Sequence, residues 1–191
     1  MPFNLPNLLT WLRIMLIPLF VGIFYFKVSW VSEPNQNLVA TAIFTVAAIT
    51  DWLDGWLARK LNQMSAFGAF LDPVADKLMV AAALITLVQL GRVDAIIALI
   101  IIGREITISA LREWMAQIGA GKSVAVSFLG KIKTVSQMVA IPLLLYHDRI
   151  GVFDPQFWGT WLIYIAALLT LISMAYYLKV ALPQAWRKPP Q

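Results

Sequence analysis

Residues 51–77 read DWLDGWLARKLNQMSAFGAFLDPVADK. Apolar runs flank this stretch on both sides, each long enough to belong in a lipid bilayer. Yet the stretch itself carries four acids, Asp51, Asp54, Asp72 and Asp76. Ionisable groups inside a membrane are costly and are functional by default. The reading of the whole chain turns on what these four carboxylates do.

The surrounding composition sets the class. The chain has 191 residues, of which 60% are hydrophobic and 13% charged. Its mean hydropathy is +0.76. Soluble domains run at about 45–50% apolar and about 25% charged, so the chain reads as an all-α integral membrane protein. Cysteine is absent, which excludes a disulfide framework and any Cys-based metal site. Residues 1–7 carry no basic side chain and the first apolar run leads into others, so no cleavable signal peptide is expected. The net charge of +5 favours anionic lipid head groups or phosphorylated substrates over nucleic acid. The basic–aromatic pattern of nucleic-acid modules is not found.

With about 20 apolar residues per crossing, the sequence predicts a bundle of six transmembrane helices near 8–28, 37–59, 66–90, 93–118, 131–147 and 157–180. Turn residues gather between them, as in SEPNQN at 32–37 and GAGKS at 119–123. There is no repeat, long linker or second domain, so residues 1–191 read as a single membrane domain. Six crossings place both termini on one side. Arg59, Lys60, Lys122, Lys131, Lys133, Lys179, Arg187 and Lys188 share that side, against Lys27, Arg92 and Arg149 on the other. The positive-inside rule therefore predicts cytoplasmic termini and a cytoplasmic 60–65 turn. Trp30, Trp114, Trp158 and Trp186 fall near span ends, where indole rings anchor at the interface.

Residues three and four apart share a helix face. Asp51, Asp54 and Ala58 make one stripe at the end of the second span. Gly68, Asp72 and Asp76 make another at the start of the third. A short turn makes these helices antiparallel, so the stripes are expected to face each other about two turns below the cytoplasmic surface. Four carboxylates at close range repel unless neutralised. Two divalent cations balance their charge, and all-oxygen ligation suits Mg²⁺, Mn²⁺ or Ca²⁺. Such a pair, about 3.5–4 Å apart, serves in-line displacement at phosphorus. Gly55 and Gly68 leave room for a ligand near the backbone. Arg59 offers a two-pronged contact to phosphate, and Ser65 a polar group at the turn. Taken alone, the glycines also suit helix packing, Arg59 an ordinary basic flank, and Ser65 a plain turn.

The spacing D-x2-D-G-x2-A-R-x8-G-x3-D-x3-D, filled here by Asp51, Asp54, Gly55, Ala58, Arg59, Gly68, Asp72 and Asp76, resembles the motif of the CDP-alcohol phosphotransferase family. The resemblance implies transfer of a phosphatidyl or similar group from a CDP-linked donor to an alcohol, with release of CMP. It implies two divalent cations, Mg²⁺ foremost, held by Asp51, Asp54, Asp72 and Asp76. Asp76 would also be the general base. The CDP moiety would lie against Asp51, Asp54, Gly55, Ala58, Arg59, Ser65 and Gly68. The segment PNLLT resembles the family's N-terminal segment and adds Asn7 and Thr10.

NLPNLLTWLRIMLIP, AFGAFLDPVADK, REITISALREW and SVAVSFLGKIKT narrow the likeness to members that join CDP-diacylglycerol to sn-glycerol 3-phosphate. The resemblance further implies a bacterial inner-membrane location, contact with membrane lipids and a homodimer. A dianionic acceptor needs cations, and Arg104, Arg112, Lys131 and Lys133 supply them on spans four and five. Arg104 lies within an apolar run and should be paired. Glu105 points about 100° away around the helix and is placed for an Arg or Lys of another span. Arg112 also suits Glu113 or a lipid phosphate, and Lys131 and Lys133 also fit topology alone. The lone His147 is expected to take no part.

Rivals remain. A divalent-cation transporter would spread acids through the bilayer depth, whereas these cluster near one face. A membrane prenyltransferase would show two Asp-rich motifs on separate repeats. Within the family, choline would call for an aromatic cage. Inositol or serine acceptors stay open, and charge alone does not separate inositol phosphate from glycerol 3-phosphate.

Overall fold

The structure, a computed structural model, describes residues 5–25, 32–61, 66–117 and 128–185. Among these residues there are six helices: α1 Leu5–Tyr25, α2 Glu33–Leu61, α3 Ala66–Gln89, α4 Ala95–Gln117, α5 Phe128–Tyr146 and α6 Pro155–Ala185. Each expected span falls on one helix. The largest discrepancy is the end of α6, residue 185 rather than 180. Two of the helices contain predominantly apolar stretches of crossing length, Leu8–Tyr25, whose one charged residue is Arg13, and Pro155–Lys179. The apolar part of α5, Ile132–Tyr146, is shorter, and charged residues interrupt α2, α3 and α4.

The interior combines large apolar side chains, such as Phe20, Phe44, Leu84, Leu87 and Ile101, with small and polar ones, while much of the outer surface is apolar too. Small residues line the interior, among them Ala40, Ala47, Ala75, Ala83, Ala140, Ala166 and Ala167. With them are buried polar groups, including Thr10, Arg13, Arg104, Lys133 and Gln137. Large apolar side chains such as Met15, Leu19, Ile49, Leu78, Ile85, Leu99, Ile106 and Leu168 face outward. An outward apolar surface of this extent needs a cover. Helices that meet in lipid associate through small residues and polar contacts rather than through a hydrophobic drive.

α1 packs against both α2 and α3 more extensively than these two pack on each other. α5 lies along α6, α4 rests on α6 and α3, and α2 also touches α5. The α5–α6 seam is close because of Gly159. A Cβ there would meet Leu144 Cγ at 2.8 Å, Leu144 Cδ2 at 3.1 Å and Leu143 Cβ at 3.2 Å. At Gly103 a Cβ would meet nothing within 4 Å. Gly159→Ala is therefore expected to destabilise by about 1–3 kcal/mol through overpacking. Gly103→Ala should be neutral or slightly stabilising, since Ala is the better helix former. Thermal unfolding of both variants in detergent checks this, and equal melting temperatures would count against the close seam.

One end of the bundle is tied by polar contacts. α3 stops at Gly91, whose φ of 68° is the left-handed conformation that suits glycine after a helix. Gly91 N donates to Val88 O at 3.0 Å and Arg92 N to Leu87 O at 2.9 Å, the paired bonds of a Schellman stop. That turn delivers Arg92 to the end of α5. Its Nη1 donates to Leu145 O at 2.8 Å and to Leu144 O at 3.1 Å, and its Nη2 to Asn37 Oδ1 at 2.8 Å. Asn37 in turn donates to Asp148 at 3.4 Å. His147, with φ of 61°, lines a cavity of about 350 Å³ at this end with Arg92, Asn37 and Asp148. It lies apart from the motif acids, as the sequence suggests.

Both neighbouring helices begin with aspartate caps. Asp94 Oδ1 accepts from Ile96 N at 2.7 Å and Asp154 Oδ1 from Phe157 N at 3.1 Å. The Phe157 amide, helped by Arg149, holds the Asp154 carboxyl below the usual carboxylate range. Beyond that cap, Phe157, Trp158 and Trp161 are exposed and meet edge to face. Trp114 is instead half-buried against the cluster of Ile108, Met115, Tyr177 and Ala181. Trp30 and Trp186 lie outside the described residues.

Candidate functional site

The acids gather at the opposite end, and α1 organises them. Thr10 and Arg13 are three residues apart and so share a face of α1. Thr10 Oγ1 donates to Asp72 Oδ1 on α3. Arg13 Nη1 donates to Asp51 Oδ1 on α2 at 2.6 Å. Arg13 is 1% exposed, whereas the Asp51 side chain retains 40% exposure. The two acid-bearing helices were expected to meet directly. α2 and α3 do touch, and α1 packs more extensively on each, with side chains that reach one acid on α2 and one on α3.

Asp76 sits one turn beyond Asp72 on α3. It shares a small pocket with Arg13, Phe44, Ala47, Ala48, Met79, Val80 and Met138. It also lines a second cavity, about 70 Å³, with Lys77, Val80, Glu105, Lys133, Thr134, Gln137 and Met138. One carboxylate therefore opens onto two spaces. One lies beside Arg13 and the other beside Glu105 of α4 and Lys133 and Gln137 of α5.

The structure sorts the basic residues expected to hold an acceptor phosphate. Lys133 is buried, pairs with Glu105 and faces the Asp76 cavity. Arg104 is also buried. Its Nη1 reaches Glu105 at 3.3 Å and its Nη2 donates to Ser173 on α6 at 3.2 Å. Its guanidinium stands 5.8 Å from the Tyr177 ring centroid. Arg112 is exposed, lies 5.6 Å from the same centroid and donates to the Tyr177 hydroxyl at 3.4 Å. Arg104 and Arg112 thus both engage Tyr177 on α6, while Lys133 looks toward Asp76. Glu105 does bind a lysine of another helix, as its angle around α4 suggests.

Gly68 is buried near the start of α3. Asp54, Gly55, Ala58 and Arg59 lie on α2, Asn7 on α1 and Lys131 on α5, but their side chains are outside the described residues, as is all of Ser65. Among the described residues, no three Asp, Glu, His or Cys side chains are gathered to hold a metal ion. The donor chemistry nevertheless fits a hard divalent cation. Asp51 and Asp72 supply carboxylate oxygens, one of which on each residue is engaged in this structure by Arg13 and Thr10 respectively. Oxygen-only donors are what Mg²⁺ and Mn²⁺ take.

Two residues of this site escape the sequence reading. Arg13 reads there as part of an apolar run, yet the rule that singles out Arg104, a charge within such a run, applies to it equally. Gln137 stands one turn after Lys133, and a lone amide on an apolar helix carries a weaker signal.

Comparison with known proteins agrees with the motif. Residues 3–172 match the family described as CDP-alcohol phosphatidyltransferase. The chain is 50% identical over 183 residues to a protein of Escherichia coli (strain K12) named CDP-diacylglycerol--glycerol-3-phosphate 3-phosphatidyltransferase. That match covers 95% of this chain and 96% of the relative. Proteins of the same name from Escherichia coli O157:H7 and Shigella flexneri serotype 5b (strain 8401) match with the same identity and coverage.

Proposed function

Since the chain belongs to the CDP-alcohol phosphatidyltransferase family, we propose that it transfers the phosphatidyl group of CDP-diacylglycerol to sn-glycerol 3-phosphate. The products are phosphatidylglycerol phosphate and CMP. The observation that carries this reading is the double exposure of Asp76, which lines both a pocket beside Arg13 and a cavity beside Lys133. A base that joins a donor to an acceptor must reach both.

All six helices span the bilayer of the bacterial inner membrane, with both termini and the acid end toward the cytoplasm. The outward apolar surface and the bias of Lys and Arg support this orientation. α2 is 29 residues long, about 43 Å at 1.5 Å per residue. It exceeds a hydrocarbon core of about 30 Å, so one end stands in the head-group layer. CDP-diacylglycerol then keeps its acyl chains in the inner leaflet and lays its CDP against Asn7, Thr10, Gly55, Ala58, Arg59, Ser65 and Gly68. A homodimer is the assembly that the family likeness favours.

Asp51, Asp54, Asp72 and Asp76 would hold two divalent cations, Mg²⁺ foremost, which when bound supply charge neutralisation at the pyrophosphate. Thr10 and Arg13 fix the rotamers of Asp72 and Asp51. Asp76 takes the proton of the sn-1 hydroxyl of glycerol 3-phosphate as that oxygen attacks the β-phosphorus. Arg59 balances charge on the departing CMP. Lys133 draws the acceptor phosphate into the cavity, and Lys131, Arg104 and Arg112 extend the positive field outward.

The test is CMP release by the purified protein with CDP-diacylglycerol, Mg²⁺ and a panel of alcohols. Release with glycerol 3-phosphate, and none with inositol, inositol phosphate or serine, is the expected result. Cation flux into proteoliposomes without CMP release would instead mark a transporter. Lys133→Met should raise the KM for glycerol 3-phosphate by about 10–100-fold, the loss of one charge-assisted contact. The KM for CDP-diacylglycerol should stay within about twofold. An equal rise in both would take Lys133 out of the acceptor site.

A further inference from the structure

The cavity between α3, α4 and α5 holds a polar atom that the reaction as described leaves unused. Gln137 is 4% exposed, lines the cavity with Asp76 and Lys133, and its Oε1 has no hydrogen-bond partner among the described residues. A buried amide oxygen left unpaired is costly, and such atoms are normally satisfied by protein, water or ligand. Lys133 and Gln137 lie four residues apart on α5, on one face of the helix. The cavity, at about 70 Å³, has room for several water-sized groups, since one water needs about 10–15 Å³ on the same measure. The charged groups on its wall are Asp76, Lys77, Glu105 and Lys133. Each has a charged neighbour or a proposed role in transfer, whereas the Gln137 oxygen is neutral and acceptor-only.

We propose that Gln137 determines acceptor specificity by accepting a hydrogen bond from the hydroxyl next to the one that reacts, so that the site favours glycerol 3-phosphate over an alcohol phosphate that lacks this hydroxyl. This rests on the acceptor reading given above. With the acceptor phosphate at Lys133 and the reacting hydroxyl at Asp76, the neighbouring hydroxyl donates to Gln137 Oε1. A site built to bind a hydroxyl discriminates strongly against an analogue without it, because its own buried polar atom is then stranded.

The experiment compares glycerol 3-phosphate with 3-hydroxypropyl phosphate, which lacks only the middle hydroxyl, in CMP-release assays of the parent, Gln137→Met and Gln137→Glu. The parent should prefer glycerol 3-phosphate in kcat/KM by about 10–100-fold. Gln137→Met should lose most of that preference, with little change toward the deoxy analogue. Gln137→Glu, which keeps an acceptor oxygen, should restore part of it. Equal losses on both acceptors in Gln137→Met, or a parent indifferent to the middle hydroxyl, would overturn the inference while leaving the reaction intact. Absence of CMP release with glycerol 3-phosphate in the parent would overturn the acceptor reading and this inference with it. Melting temperatures of both variants accompany the assay; a collapse in Gln137→Met without a change in acceptor preference among the molecules still folded would make Gln137 structural.

Discussion

Asp76→Asn is expected to lower kcat by about 10²–10⁴-fold, the range a positioned general base contributes. Asparagine preserves the shape of the side chain and removes the charge and the basicity. The substitution should therefore leave the bundle folded, because the Thr10–Asp72 and Arg13–Asp51 contacts do not pass through Asp76. CDP-diacylglycerol binding, followed by equilibrium titration in detergent or nanodiscs, should remain detectable. Turnover within about tenfold of the parent would remove Asp76 from the base role. The large effect is expected because Asp76 is the acid that lines both the Arg13 pocket and the Lys133 cavity. In the described structure no other carboxylate has that double exposure, although Glu105 shares the second space. Glu105 is already paired with Lys133 and Arg104, which leaves it poorly placed to take a proton.

Arg13→Met should have the second large effect, on stability and on rate together. Breaking a fully buried ion pair by deleting one member costs about 3–5 kcal/mol. Here Asp51 keeps part of its contact with solvent, so about 2–3 kcal/mol is the fitting figure. Methionine roughly fills the volume, so the loss is of charge rather than packing. Turnover should fall by at least about tenfold, since Asp51 would be free to leave its rotamer. Arg13→Lys should recover much of the stability and less of the rate, because an ammonium cannot reproduce the planar donor geometry. Thermal unfolding and CMP release on the same preparations check both halves. A variant that melts and turns over like the parent would mean that the α1 contact is incidental.

The six helices were legible because length and apolarity mark a crossing whatever its neighbours are. The turn residues at 91–94 fix the ends of α3 and α4 for a local reason, the left-handed Gly91 and the Asp94 cap, whereas residues 33–37, which read as a turn in the sequence, form the start of α2. The acid motif was legible because four carboxylates in 26 residues have few explanations. Helix order was not legible. Nothing in the spacing of Asp51 or Asp72 says that α1 will supply a partner to each, since that depends on which rods pack together. Likewise Arg104, Arg112 and Lys133 look equivalent as charges on adjacent spans. Their separation comes from Tyr177 and Ser173 on α6, distant in sequence, which occupy the two arginines. Gln137 stands out only once the cavity wall is known, because an orphaned oxygen is defined by what surrounds it.

Arg92 joins the beginning of α2, the corner between α3 and α4 and the last carbonyls of α5 in one knot. A rod fastened at its tip cannot slide along its neighbours; it can only swing. Displacement of α2 or α5 on admitting substrate is then angular, vanishing at the knot and growing with distance from it. The acids lie in the halves of α2 and α3 away from the knot, where a few degrees of swing translate into a wider opening than beside it.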